Sequence, residues 1–306
     1  MDAKPRERSI RIQSIIYNSD PDKLVRSLQS VAKAADLAIT AGIVSHISFL
    51  YGDCSPKVVI CSEEVAKLKE QFKEHFHFSY QYFNQNLGSA RGHNTLAENC
   101  NDDFLLIMNP DIILSPNTII ELLKPFDIDD SAIGIVEARQ TPIEHPKEYN
   151  YKTGETSWAS TACVLISHSA FKKVNGFDAD TFFLYCDDVD FSWRVKLAEY
   201  KVIYQPSAVV FHDKLFTNEA ELAIGPSERY YSAEAGLLMA YKWSNEKLLQ
   251  DIIAYFETHD DNGINSKALA EFKKRQKEGS LPKQLDKEHK VAQFIDNGYA
   301  KHRFLI

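Results

Sequence analysis

Four apolar runs in the first 108 residues, each followed by a turn and then a helix-like stretch, constrain this chain most. Ile10–Ile16 (IRIQSII), His46–Tyr51, Phe76–Phe83 and Phe104–Met108 have the length and continuous apolar character of strands buried on both faces. Between them, Pro21–Ala41 places Leu24, Leu28, Val31, Ala35 and Leu37 at helical spacing, and Glu63–His75 is a charged amphipathic helix. NQNLGSARGHN (Asn84–Asn94) is a glycine-containing turn into a short helix around Thr95–Glu98. This β-α-β-α-β-α-β order predicts an α/β chain with a Rossmann-like, mostly parallel sheet and helices on both faces. Ligands of such sheets collect beyond the carboxyl ends of the strands. Asn18, Asp53, Arg91 and Asp111 all fall at those ends, although they lie far apart in sequence.

The sharpest of these ends is DDFLLIMNPDIILSP (Asp102–Pro116). Its apolar run stops at Asn109-Pro110-Asp111, because proline lacks the ladder donor that a central strand needs. The next helix has its own start signal in Ser115-Pro116, so Asp111 is not required as a cap. A spare carboxylate at the end of a buried strand points to a ligand.

The second half is less regular. Ala132–Glu137 is a further strand candidate, followed by a polar loop to about Thr156. SWASTACVLIS (Ser157–Ser167) has strand character, His168–Val174 is a short helix, and a helix opens near Asp187. KVIYQPSAVVFHD supplies two short strands that end at His212-Asp213. From Lys214 onward the pattern is helical. The expected organisation is residues 1–213 as the ligand-binding α/β unit and 214–306 as a C-terminal helical extension.

Composition removes several classes. The 44% hydrophobic and 25% charged content is that of an ordinary globular chain, and the net charge of −8 disfavours a general nucleic-acid binder. Five cysteines without a C-x-x-C pair argue against a disulfide framework or a zinc site. The opening residues MDAKPRERSIRIQ have no apolar segment, and no run reaches the roughly 18 to 20 apolar residues of a membrane span, so a cytoplasmic location is expected. Lys267–Ile306 is basic, which suits either an anionic membrane surface or a solvated helical face.

IIYNSDPDKLVRSLQSV, NLGSARGHN, MNPD, NGFD, FFLYCDDVDFSWR and VVFHD, in this order over residues 10 to 213, resemble the motifs of inverting family 2 glycosyltransferases of the GT-A fold, rhamnosyltransferases in particular. RYYSAEAGLLMAYKW adds a weaker match. The resemblance implies an enzyme that moves a sugar from a nucleotide sugar (dTDP-rhamnose, or a UDP-sugar such as UDP-galactofuranose, UDP-glucose or UDP-N-acetylglucosamine) onto a glycan or lipid-linked glycan of bacterial surface type (O-antigen or capsule). It implies Asp188 as the general base. Asp111 resembles the last aspartate of the metal motif, with Asn109 standing in its first place, and His212 the histidine brought to the same Mg²⁺ or Mn²⁺. Asp53, Tyr17, Asn18 and Arg91 correspond to donor contacts, and Trp158, Ser160, Thr161 and Asp187 to the wall facing sugar and acceptor.

The residue types suit those roles. A departing nucleoside diphosphate needs its charge neutralised, and Mg²⁺ or Mn²⁺ often takes only one or two protein carboxylates plus phosphates. On a helix, Asp187, Asp190 and Arg194 share a face at i,i+3 and i,i+4 spacing, whereas Asp188 points elsewhere with no basic partner at i+3 or i+4. Plainer uses stay open: Asp53 as a turn residue, His212 as a satisfied core histidine, Arg91 on the surface, Trp158 in the core, Asp187 at a helix N-terminus. A non-catalytic glycan or sugar-nucleotide binding module on the same fold is the alternative of another class. The absence of G-x-G-x-x-G after the first strand sets aside a dinucleotide-dependent oxidoreductase. The amphipathic Arg229–Trp243 segment has three candidate surfaces, the catalytic unit, a peripheral membrane interface or a second subunit.

Overall fold

A computed structural model describes residues 8–129, 132–144, 146–213, 225–295 and 298. The opening seven residues, the start of the C-terminal extension (214–224) and the last part of the basic tail (299–306) lie outside the described residues.

The N-terminal half follows the predicted alternation. β1 (Ser9–Ile16), β2 (His46–Asp53), β3 (His77–Tyr82) and β4 (Phe104–Met108) are separated by α1 (Pro21–Thr40), α2 (Ser62–Phe72) and α3 (Gly88–Ala97). α1 starts where expected for physical reasons. The Asp20 side chain accepts from the Asp22 N–H, Pro21 occupies the first turn, and Leu24, Leu28, Val31 and Ala35 are buried on one face. β5 (Ile112–Leu114), α4 (Thr118–Ile128), β6 (Ile133–Thr141), β7 (Cys163–Ser167), α5 (His168–Lys173), α6 (Asp187–Leu197) and β8 (Lys201–His212) complete the sheet.

The eight strands form one sheet in the order β3-β2-β1-β4-β7-β6-β8-β5. β3, β2, β1 and β4 are parallel, β7 enters antiparallel between β4 and β6, and β6 and β8 are again parallel. The GT-A type mixed α/β architecture, mostly parallel with helices against the sheet, is therefore present. One apolar cluster joins β1–β6 to α1 and α4, and a second packs β4, β6 and β7 against α5 and α6.

Three local expectations change. The helix after β3 begins at Gly88, well before Thr95, so Arg91 lies on α3 itself and not in the turn before it. Gly88 permits this start: its φ is +69°, and a Cβ there would stand 2.4 Å from the Phe183 carbonyl oxygen. The strand expected from Ser157 begins only at Cys163, because the preceding backbone turns to bond other elements. The two short strands before His212 are one 12-residue strand, interrupted by a shift of register against β6.

The C-terminal segment forms α7 (Pro226–Lys242), α8 (Glu246–Thr258) and α9 (Ile264–Glu278). Its core is shared with the first part of the chain: Trp243, Leu237, Leu238 and Phe272 pack with Trp158, Phe182, Val189 and Trp193. Lys242 of α7 reaches Asp190 of α6 and Asp178, each at 2.6 Å. In the described part of the basic tail, Lys273 pairs with Glu257 of α8 at 2.9 Å and Arg275 with Glu234 of α7 at 3.5 Å. Among the described residues no helix is long and apolar enough to cross a membrane.

Candidate active site

The carboxyl ends of β4 and β8 meet at one point. β5 pairs antiparallel with β8 so that Ile112 lies opposite His212, and the Asp213 N–H donates to the Asp111 carbonyl at 3.0 Å. This brings His212 Nε2 to 3.3 Å from Asp111 Oδ1. His212 is nearly buried, whereas about a third of the Asp111 side chain is open. On the other side of the ring, His212 Nδ1 lies 2.7 Å from Oε1 of the buried Gln140, a residue that sequence reasoning did not single out. Its partner is 72 positions away, so no local pattern announced it.

Among the described residues, no group of three or more His, Cys, Asp and Glu is placed to hold a metal ion by itself. The Asp111–His212 pair nonetheless fits a Mg²⁺ or Mn²⁺ that completes its shell with diphosphate oxygens and water. Its ligand atoms stand 3.3 Å apart, close to the roughly 3.0 Å edge of an octahedron with ~2.1 Å bonds. Asn109 flanks the pair, and its N–H donates to the Ala162 carbonyl at 2.9 Å.

That bond ties the Asn-Pro-Asp turn to the loop 157–162, and the same loop holds α6. The Ala159 N–H donates to Ser192 Oγ at 3.0 Å, and Ser192 Oγ donates to the Asp188 carbonyl at 2.8 Å. Asp188 is half-buried at the head of α6, with Oδ1 accepting from the Val189 N–H. The two residues before the helix, Tyr185 and Cys186, both have left-handed backbone, φ +64° and +57°. Consecutive non-glycine residues in this region carry a strain that clusters at functional sites.

Asp187 is buried, and its Oδ2 has no hydrogen-bond partner among the described residues. Burial first, and the neighbouring Asp188 charge second, push its carboxyl up to about 7, while the Ser89 side chain at the start of α3 opposes the rise. The expected three-residue charge cluster is thus a different one. Asp190 takes Arg194 Nε at 2.7 Å, Lys242 Nζ at 2.6 Å and Trp243 Nε1 at 3.1 Å, and Asp187 turns to α3.

Trp158 is 4% exposed, and Lys147 Nζ sits 3.5 Å from the centre of its ring. Core packing and a cation over one face occupy the surface expected to stack on a sugar, so that reading is corrected. Lys147 also reaches buried Glu137 at 2.8 Å. Burial pushes the Glu137 carboxyl up to about 7, partly offset by Lys147. Ser160 is buried, with Oγ accepting from the Ala162 N–H, while Thr161 is half-buried beside it.

On the opposite flank, Tyr17 is half exposed and Asn18, also left-handed, donates its N–H to Ser55 Oγ at 2.8 Å. Asp53 is fully buried. Its Oδ1 accepts from the Ser55 N–H at 2.8 Å, and its Oδ2 accepts from the Val59 N–H at 2.9 Å and from the Tyr80 hydroxyl. The structure corrects the expected donor contact: Asp53 holds the 54–59 loop and presents no surface to a ligand. Arg91 is half exposed and pairs with Asp180 at 2.6 Å, at the outer side of α3.

A GT-A type sheet thus carries an Asp–His pair at the ends of β4 and β8 and an acid at the head of α6. The glycosyl transferase family 2 sequence profile matches residues 61–189. "Rhamnosyltransferase WbbL" of Escherichia coli (strain K12) is 26% identical over 139 residues, 36% of this chain and 52% of that protein. An "N-acetylglucosaminyl-diphospho-decaprenol L-rhamnosyltransferase" of Mycobacterium tuberculosis (strain CDC 1551 / Oshkosh) is 29% identical over 147 residues, 37% of this chain and 48% of that one. The match thus spans about half the length of these curated relatives. Among solved structures, a mannosyltransferase from Pyrobaculum calidifontis in complex with GDP-Man and Mn²⁺ superposes with a TM-score of 0.59 at 15% identity, over 91% of this chain and 78% of that one. GalNAc-T7 with UDP, GalNAc and Mn²⁺ gives 0.60 at 12% identity, over 93% and 57%. Residues 61–189 thus carry a family 2 glycosyltransferase match, the fold is of GT-A type, and the sequence is similar to rhamnosyltransferases over about half of their length.

Proposed function

We propose that this chain is an inverting glycosyltransferase that moves a sugar, rhamnose from dTDP-rhamnose in the first instance, onto a hydroxyl of a growing surface glycan of O-antigen or capsule type. The observation that carries the reading is the Asp111–His212 pair, 3.3 Å apart, joined through Asn109, the 157–162 loop and Ser192 to the helix head that bears Asp188. The rhamnosyltransferase names of the sequence relatives favour the donor sugar, and the diphospho-decaprenol in one of them favours a lipid-linked acceptor.

Asp111 and His212 would hold the divalent cation, which when bound neutralises charge on the departing nucleoside diphosphate. Asp188 accepts the proton of the acceptor hydroxyl while that oxygen forms its bond to the anomeric carbon. The bond from the anomeric carbon to the diphosphate oxygen breaks on the opposite face, so configuration inverts in one displacement. Asp187, largely neutral below pH 7, spares the helix head a second buried charge next to the base. The Asp190–Lys242–Trp243 contacts lock α6 against α7, which fixes where Asp188 stands. Tyr17 and Asn18 edge the donor's base and ribose, and the Ser160–Thr161 loop edges its sugar.

The test is a calorimetric screen of dTDP-rhamnose, UDP-galactofuranose, UDP-glucose and UDP-N-acetylglucosamine with and without Mn²⁺. Metal-dependent binding of one donor is the expected result. If a UDP-sugar binds in place of dTDP-rhamnose, the chemistry stands and the donor changes. Binding of none of them would remove the enzyme reading.

A further inference from the structure

We propose that Gln140, together with the insertion in β8, is a positioning device that fixes the tautomer and the aim of His212. This rests on the reading of Asp111 and His212 as cation ligands. β6 and β8 run parallel, with Ala138 opposite Gln205 but Arg139 opposite Val209. One step along β6 therefore spans four along β8, an insertion of three residues. Side chains alternate faces along a strand, so an odd insertion exchanges the faces of everything beyond it. In the register before the insertion, His212 would project from the face opposite to Gln140. After it, Gln140 lies opposite Val210, and His212, two residues on, shares its face.

The consequence is the hydrogen bond between Gln140 Oε1 and His212 Nδ1, 2.7 Å long and buried. A carbonyl oxygen can only accept, so the bond to Gln140 holds a proton on Nδ1 and leaves Nε2, at the longer 3.3 Å contact with Asp111 Oδ1, as the nitrogen that can bind a cation. The imidazole is thereby prepared as a ligand before any cation arrives, in the way that second-shell groups orient metal-bound histidines. The glutamine is itself braced. Its N–H donates to Glu144 Oε1 at 2.9 Å, and Glu144 Oε2 accepts from the Tyr204 hydroxyl at 2.6 Å across on β8. Its Nε2 has no partner among the described residues, so the bond to the ring is the side chain's directional contact.

The experiment uses the full chain and two readouts. Long-range ¹H–¹⁵N spectra of ¹⁵N-histidine-labelled protein, without metal at pH 8, report the His212 tautomer, assigned by comparison with His212→Ala. The Nδ1–H form is expected in the wild type, and an Nε2–H form overturns the proposal. Mn²⁺ is then titrated calorimetrically with saturating dTDP or UDP present. Gln140→Leu is expected to weaken Mn²⁺ by roughly 10- to 100-fold, and Gln140→Glu, whose carboxylate also accepts from Nδ1–H, to keep affinity within a fewfold of wild type. Because Gln140→Glu preserves the packing, its retention separates positioning from a fold defect in Gln140→Leu. Equal Mn²⁺ affinity in wild type and Gln140→Leu overturns the role of Gln140 alone. Equal affinity in wild type and His212→Ala overturns the cation reading itself, and the proposal with it.

Discussion

Replacing Asp187 by Asn should stabilise the protein, and increasingly so as pH rises. In the unfolded chain the carboxyl ionises at its ordinary value of 3.8; in the fold, burial and Asp188 raise this to about 7. Between those two values the folded state binds more protons than the unfolded one, so the stability due to this residue falls as pH rises and levels off above about 7. At 1.36 kcal/mol per pH unit, the full span from 3.8 to about 7 corresponds to roughly 4 kcal/mol, an upper bound because Asp188 shares the effect. Asparagine has the same shape and no charge. From pH 5 to pH 8, its advantage over wild type should therefore grow by about 2 to 3 kcal/mol. Urea denaturation of the two proteins at pH 5, 6, 7 and 8 measures this directly, since other titrating groups, Glu137 included, cancel in the difference. A difference that stays constant across pH, or one that shrinks as pH rises, would refute the assignment of a buried, neutral Asp187.

Lys147→Met strands Glu137 in the core without its cation and should cost about 3 to 5 kcal/mol near neutral pH, with Glu137→Gln in the same chain recovering much of the loss. A denaturant double-mutant cycle reads both numbers. Gly88→Ala should lose roughly 1 to 3 kcal/mol, because its φ of +69° and the Phe183 oxygen 2.4 Å from the new Cβ both oppose it. Thermal melts check the loss. Trp158→Ala should lower stability by about 3 to 5 kcal/mol, and calorimetry should find donor affinity unchanged, as expected of a core residue.

The parallel half of the fold was legible because each strand from β1 to β4 is an apolar run ended by a turn, and strand ends of such sheets gather ligands. Asp111 could be named because it follows a buried strand without capping the next helix, and His212 only through the family resemblance; the structure brings the two together. For Asp53 the turn role was open beside the donor role, and the sequence could not choose: the bonds that consume its carboxylate come from the 54–59 backbone and from Tyr80 on another strand. The early start of α3 escaped because Gly88-Ser89-Ala90-Arg91-Gly92 has no apolar periodicity; its helix is allowed by a left-handed glycine pressed on Phe183. For Trp158 the sequence left sugar stacking and core packing both open and put it on a strand; what decides for the core, Trp193 and Lys147, comes from a helix and from a polar loop. Gln140 is visible only in three dimensions, through a register shift that sequence alternation does not announce.

The proposed function stands or falls with Asp188 as the base at a donor site built on Asp111 and His212. The most direct measurement is turnover of the donor found by the screen, with acceptor or with water, compared between wild type and Asp188→Asn at equal donor binding. With Asp188 as the base, donor affinity is unchanged and turnover falls roughly 10²- to 10⁴-fold in the variant. Turnover by Asp188→Asn within a fewfold of wild type would contradict it.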